Sequence, residues 1–329
     1  MSQLPTITDL SSSITNNQLV KALMLNGGNP EMSNGEPIRY VGGFCIVFPY
    51  MVNKNKYAVR CWHSYIKGIR ERTEKIAETL KNINRHYFVD FQYVQDGIIT
   101  TQGVQPIVVM RWVDAKPLKS YILHHLNNQQ ALYELGKRFF ELVKDLHQNN
   151  ISHGDLQSEN ILVAEDGQIF LIDYDSMYVP ALEGWKDVVR GKKGYQHPAR
   201  WKNKYLSPKA DYFSEIVIYT SILALAAKPK LWEDLNLLDT ETLLFTPKDF
   251  ESNGQSSIFS ILESIPVTKR LGRVIVDFLS RNSIDDLEPL ENILKSPVDE
   301  IAYLWNQGNG EKMSDFSIDE EVSKIVKKW

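Results

Sequence analysis

Three oxygen-bearing side chains stand at a spacing that could do chemistry. Asp155 and Asn160 fall in the run His153-Gly-Asp-Leu-Gln-Ser-Glu-Asn160, and Asp173 follows in Leu171-Ile-Asp-Tyr-Asp175. Carboxylate and amide oxygens suit a hard cation such as Mg²⁺, and a further carboxylate can accept or orient the proton of an attacking hydroxyl. Between them lie two β-prone runs, Ile161–Val163 and Ile169–Ile172, joined by a turn at Glu165-Asp-Gly167. A hairpin there brings Asn160 and Asp173 to the same end of two paired strands. The bland alternative is that all three are turn and cap residues, as these types often are.

The elements around this constellation follow from periodicity. Phe44–Tyr50 and Lys56–Trp62 are strand-like runs broken by Asn53-Lys-Asn55, and Tyr87–Val94, Gly97–Thr101 and Pro106–Val113 are further strands. Glu71–Ile83 has helical spacing, with Ile76, Leu80 and Ile83 on one face. Beyond Pro117 the chain turns helical. Leu132–Leu146 places Leu135, Phe139, Leu142, Val143 and Leu146 on one stripe, Asp211–Ala227 is a strongly apolar helix, and Ser257–Ile265, Lys269–Ser280 and Leu287–Leu294 are helical. Residues 1–36 read as loop, apart from a helical turn or two within Gln18–Leu25. No internal repeat is visible. The expected organisation is an extension (1–36), a small β-rich part (37–114), a larger helical part (115–281) and a C-terminal helical extension or tail (282–329).

The two runs match the H-x-D-x-x-x-x-N and D-x-x patterns of kinases, with Leu132–Leu146 and Ile151-Ser152-His153 in the places of the preceding helix and entering strand. Asp211-Tyr-Phe-Ser214 matches the D-x-W-S start of the central large-lobe helix, and Gly194-Tyr-Gln-His-Pro198 the end of an activation segment. From about Tyr40 to about Arg281 the chain thus resembles the eukaryotic-like protein kinase family, and Asp173–Leu182 with Tyr195–Arg200 looks like a divergent bacterial serine/threonine kinase-like subgroup. The resemblance implies an α+β, two-lobed protein-kinase-like fold, ATP and Mg²⁺ as cofactors, and a protein substrate or signalling partner. It also implies roles. Asp155 accepts or orients the acceptor proton, and Asn160 and Asp173 hold the metal. Ala58 lies in the strand motif beside Arg60, and Ile107–Asp114 is the hinge strand. Met110 is then the gatekeeper, and Arg111, Trp112 and Val113 offer backbone hydrogen bonds to adenine. Asp211 caps the catalytic-loop backbone.

The pattern departs from the family in five places. Tyr57-Ala-Val-Arg60 puts Arg60 where a phosphate-contacting Lys is usual, and the planar guanidinium is not equivalent to an ammonium. Its helix partner is Glu74 or Glu78, although both lie roughly opposite the apolar stripe. The glycine loop Tyr40–Val47 retains Gly42 and Gly43, but Cys45 stands where a third glycine is expected. His-Gly-Asp replaces His-Arg-Asp and Gln157 replaces a Lys. The missing Arg normally receives a phosphorylated residue, and between Asp175 and Pro198 the only hydroxyls are Ser176, Tyr178 and Tyr195. Control by activation-loop phosphorylation is therefore not expected. Lys186, Arg190, Lys192 and Lys193 make that segment basic, either a solvated loop or a dock for an anionic substrate. Finally, Asp173-Tyr-Asp175 and His197-Pro-Ala199 replace Asp-Phe-Gly and Ala-Pro-Glu.

Bulk properties narrow the field. With 329 residues, 43% hydrophobic and 24% charged, the chain has the composition of a soluble globular protein. A net charge of −4 argues against nucleic acid as a partner. Two cysteines, Cys45 and Cys61, make neither a zinc site nor a disulfide framework. No signal peptide or membrane-length apolar run is visible, so a cytoplasmic location and no membrane partner are expected. The leading expectation is an ATP/Mg²⁺-dependent serine/threonine protein kinase. Two alternatives stay open: a pseudokinase-type nucleotide-binding or interaction module, and a small-molecule kinase of the aminoglycoside or choline type.

Overall fold

The computed structural model describes residues 4–294. The chain forms two compact units, one ending at Asp114 and the other beginning at Ala115. The first is built on β-strands and the second on helices, an α+β organisation.

The first unit opens with helix α1 (Ile7–Ile14), where the sequence reads as loop. The helix is short and Ser-rich, which hides its period, but its start is well formed: the Thr6 side chain accepts from the Asp9 N–H at 3.1 Å. Of Gln18–Leu25, only Leu23–Leu25 is a 3-10 turn, while Val20 bridges to Ile98 in extended form. Short strands follow: β1 (Asn29–Pro30), the ribbon β2 (Met32–Ser33) and β3 (Glu36–Pro37), and β4 (Tyr40–Val41). The long strands are β5 (Cys45–Val52), β6 (Asn55–Trp62), β7 (Phe91–Thr100) and β8 (Gly103–Arg111), with helix α2 (Ile69–Ile83) between β6 and β7. The sheet order is β1-β5-β6-β8-β7, with β4 paired to β5. A two-residue turn joins β5 to β6, and Asn53 takes the positive φ of 55° that such a turn needs. The two strands expected at Tyr87–Val94 and Gly97–Thr101 are one, β7, with a register shift between Val94 and Ile98 and with Tyr87–Asp90 outside it. Gly97 sits in that irregularity, where a Cβ would lie 2.4 Å from Ile107 Cγ1.

Strand alternation divides the sheet into two faces. Ile46, Phe48, Tyr50, Val59, Cys61, Ile98, Ile107 and Val109 form one buried cluster with Leu10, Ile14, Ala22 and Leu25. The segment read as a loose extension is therefore part of the core. The Asp9 carboxylate fastens it further, accepting from the Thr101 N–H at 3.2 Å and hydroxyl at 2.7 Å. By the register, the opposite face carries Val47, Ala58, Arg60, Trp62, Val108 and Met110.

In the second unit, β9 (Lys116–Pro117) leads into α3 (Leu118–His124) and α4 (Gln129–Gln148). Strands β10 (Ile161–Val163) and β11 (Ile169–Leu171) form a small sheet with β9, ordered β11-β10-β9. Helix α5 (Tyr212–Ala227) is buried continuously from Phe213 to Ala226, as expected of a helix apolar on every side. Helices α6 (Leu231–Asp234), α7 (Pro247–Glu251), α8 (Ser257–Ser264), α9 (Pro266–Leu279) and α10 (Leu290–Ile293) follow. The helix expected at Leu287–Leu294 is shorter, because Pro289 becomes the N-cap of α10. Most of the expected tail, 295–329, lies outside the described residues. His147 ties three helices together: Nε2 meets Glu215 Oε1 of α5 at 2.8 Å, and Nδ1 meets Glu291 of α10 at 2.9 Å. The two carboxylates overcome the burial penalty and push the imidazole up to about 10, so it stays protonated.

Leu10 is fully buried in the sheet core. Leu10→Ala should destabilise the protein by about 2–5 kcal/mol in urea denaturation, as a cavity in a packed core does. A loose extension would give a change within about 0.5 kcal/mol.

Candidate active site

The loop Ile151–Asn160 is held from three directions. From within, His153 Nε2 donates to the Ile172 carbonyl at 2.9 Å, and Nδ1 accepts from the Asp155 N–H at 3.3 Å. From α5, the buried Asp211 carboxylate accepts from the His153 N–H and from the Gly154 N–H at 2.9 Å. Asp211 stands at the N-cap of α5 but makes no side-chain cap bond, so its side chain serves the loop rather than the helix. Burial raises its carboxyl above the ordinary range, while the Arg200 guanidinium and the two N–H donors pull it back. From the segment after Asp175, the buried Arg200 donates Nη1 to the Gly154 carbonyl and to Gln196 Oε1, and Nε to Asp187 Oδ2 at 3.3 Å.

Gly154 is the point on which these converge. Its φ is +78°, and a Cβ would lie 2.1 Å from the Ser176 carbonyl oxygen. No larger residue fits without moving the backbone, which gives His-Gly-Asp a steric cause. Sequence reasoning missed the guanidinium that reaches this loop. It comes from Arg200, immediately after His197-Pro-Ala199, and its partner Asp187 lies 13 residues upstream. Nothing local in the sequence links the two. The only signal is a charged pair in a stretch whose family pattern has been lost.

The clamped loop presents Asp155. Its Oδ1 accepts from the Lys192 N–H at 3.0 Å, and its Oδ2 accepts from Asn160 Nδ2 at 3.1 Å and from Gln157 Nε2 at 3.4 Å. Burial, then the charge of Asp173, pushes the Asp155 carboxyl up to about 6, offset in part by the Lys192 N–H and the Arg200 guanidinium. Asn160 Nδ2 also donates to the Asp155 carbonyl at 2.9 Å. Its nitrogen is committed, which leaves Oδ1 as its oxygen for a cation. Asp173 follows β11 with φ +66°. No cluster of three or more His, Cys, Asp or Glu side chains among the described residues could hold a metal alone. Asn160 and Asp173 instead offer two hard oxygens. That donor set suits Mg²⁺, which commonly takes one or two carboxylates and completes its shell with phosphate and water.

The first unit holds the other expected residues. Arg60 lies on β6 between Val47 and Val108; its Nε donates to Cys45 Sγ at 2.9 Å and its guanidinium lies 5.9 Å from the Trp62 ring centre. Ala58 pairs with Met110 on β8. At the expected hinge two backbone N–H groups are already engaged: the Arg111 N–H bonds Asp90 O at 3.2 Å and the Trp112 N–H bonds Lys56 O at 3.1 Å. Among the described residues the Val113 N–H makes no backbone hydrogen bond, so of the three residues it is the one whose N–H is still on offer. Gly42 and Gly43 lie at the tip of the β4–β5 hairpin, closed by a 2.8 Å bond from the Gly42 N–H to the Cys45 carbonyl. A Cβ on Gly43 would meet nothing within 4 Å, and one on Gly42 only ordinary contacts with Cys45. The hairpin's own packing thus requires neither glycine.

Glu74 and Glu78 are a correction. Both are exposed, and Glu74 pairs with Arg70 on the surface at 3.0 Å. Neither meets Arg60. The buried face of α2 is Arg72, Thr73, Ile76 and Leu80, so helical geometry turns both glutamates outward.

The family model described as protein kinase domain matches residues 42–281, nearly three-quarters of the chain. The chain therefore belongs to the protein kinase domain family and has its two-lobed α+β fold, and membership supports phosphotransferase activity in general. No curated protein matches the chain.

Gly154 and Gly43 make a paired test. Gly154→Ala should cost about 1–3 kcal/mol or more in urea denaturation, because the loop must move or hold a strained φ. Gly43→Ala should stay within about 0.5 kcal/mol. Equal effects at the two positions would contradict the steric role of Gly154.

Proposed function

We propose that the chain is an ATP- and Mg²⁺-dependent protein serine/threonine kinase. The observation that carries this reading is the seating of Asp155 beside Asn160. One amide nitrogen fixes the Asp155 backbone and carboxylate, which leaves the amide oxygen to act with Asp173. Asp155 orients the acceptor hydroxyl and takes its proton, while Asn160 and Asp173 hold the metal. Mg²⁺ supplies charge neutralisation at the transferred phosphoryl group. Arg60 steadies the α- and β-phosphates, and Gly42 and Gly43 leave room for close phosphate approach at the hairpin tip. Ala58 and Met110 frame adenine, with the Val113 N–H as the donor that stays available.

The kinase works without phosphorylation of its activation segment. The buried Asp187–Arg200 pair and the Arg200 bond to Gly154 hold segment and loop together with a resident carboxylate. That arrangement supplies internally what a phosphate–arginine contact supplies elsewhere. The acceptor is a protein in the cytoplasm. No helix among the described residues is long and apolar enough to cross a membrane. Cys45 and Cys61 are buried and form no disulfide, and burial raises the Cys61 thiol. Arg60 favours a second reading, a nucleotide-binding module without turnover, because its Nε is already donated to Cys45.

Calorimetry of Mg²⁺-ATP binding tests the site. The wild type should bind, and Asp173→Ala or removal of Mg²⁺ by chelation should weaken binding at least about tenfold, as loss of a charged ligand does. No binding by the folded wild type would contradict the proposal.

A further inference from the structure

The chain is acidic overall, with net charge −4, yet Gly184–Ala210 holds eight Lys or Arg residues and one acid, Asp187. That acid is buried against Arg200 and contributes no exposed negative charge. The two arms of the segment run side by side. The Asp187 N–H bonds the Lys204 carbonyl at 3.1 Å, the Leu206 N–H bonds the Trp185 carbonyl at 2.8 Å, and Lys186 bridges to Tyr205. Arg190 joins the arms again, its fork donating to the Trp201 and Asn203 carbonyls at 2.9 and 2.8 Å. Lys193 Nζ lies 5.9 Å from the Trp201 ring centre, which sets it beside the arm that carries Lys202 and Lys204. Lys193, Lys202 and Lys204 are exposed, and none pairs with a carboxylate among the described residues. Lys192 does, with Glu159 at 3.5 Å and Glu241 at 3.4 Å, so it adds little. This basic stretch reaches the reacting group, since the Lys192 N–H bonds Asp155 and a Cβ on Gly191 would lie 2.6 Å from Asp155 Oδ1.

We propose that this basic strip docks an acidic stretch of the protein acceptor, so that hydroxyls flanked by Asp and Glu are selected. The inference rests on the protein-kinase reading above and names its substrate class. Carboxylates fit better than phosphoryl groups. The exposed bases are dispersed lysines, which act as point charges, while the forked Arg190 that could grip a phosphate is committed to carbonyls. A short acidic segment also fits better than a nucleic acid. A long polyanion would extend beyond the strip onto a chain whose remaining charge is negative and repels it.

The test uses the full chain and a variant carrying Lys193→Glu, Lys202→Glu and Lys204→Glu, three exposed positions outside the catalytic set. Fluorescence anisotropy follows labelled peptides of one length: one rich in Asp and Glu around a central Ala, one neutral and one basic. At moderate salt the acidic peptide should bind the wild type about tenfold more tightly than the neutral one, and the variant should lose that preference. Equal binding, a basic preference, an unchanged variant, or tighter binding of single-stranded DNA or anionic vesicles of matched charge would overturn the proposal. The same peptides with Ser in place of Ala, offered with Mg²⁺-ATP, separate the two readings. Acidic binding without transfer to any peptide leaves the docking surface standing and sinks the kinase assignment. Transfer without charge preference does the reverse.

Discussion

The buried carboxyl group of Asp211 is the constraint on which the loop from Ile151 to Asn160 depends. A buried carboxyl group needs hydrogen-bond partners, and Asp211 finds them in two consecutive backbone N–H groups, those of His153 and Gly154. Two such bonds from one carboxylate fix the orientation of successive peptide planes. With φ at Gly154 held at +78°, the next side chain, Asp155, has a set direction. Helix α5, buried along nearly its whole length, is the rigid body that places Asp211. Packing of the helical unit thus reaches Asp155 through one side chain.

Arg200 completes the clamp from the opposite side. In many members of this family a guanidinium on the catalytic loop waits for a phosphate on the activation segment. Here the loop has glycine and no space for a side chain, and the guanidinium arrives from the segment itself with Asp187 already bound. Burying such a pair carries a desolvation cost, and breaking it by removing one partner is costlier still. A pair of this kind suits a part meant to stay assembled. It gives a physical reason why a segment nearly devoid of hydroxyls could still be ordered.

Much of this could be read from the sequence because the relevant physics is local. The Asp155, Asn160 and Asp173 set announces itself through spacing around a short hairpin, β5, β6, α2 and α4 through the periodicity of their apolar residues, and α5 through its continuous apolar run. What escaped is long-range or masked. Helix α1 has only Ile7, Leu10 and Ile14 as apolar markers among Ser and Thr, although Thr6-Ile-Thr-Asp9 was a cap signal in plain view. Arg200 meets Gly154 across 46 residues, a contact no window contains. Glu74 and Glu78 lie on the helix expected to supply a partner for Arg60. Their positions opposite the apolar stripe already argued against that role, and both are exposed. The hinge shows the same limit: a strand can be read from composition, but which N–H groups its neighbours have already taken cannot.

On the proposed function, Asp155, seated by this clamp, serves phosphotransfer without phosphorylation of the segment. The most direct measurement follows γ-phosphate transfer from Mg²⁺-ATP to acceptor proteins, using enzyme shown by mass spectrometry to carry no phosphate. The wild type should transfer to Ser or Thr without a lag or prior activation, and Asp155→Asn should lose at least about 10²-fold in rate. Absent transfer by the folded wild type, or undiminished transfer by Asp155→Asn, would contradict it.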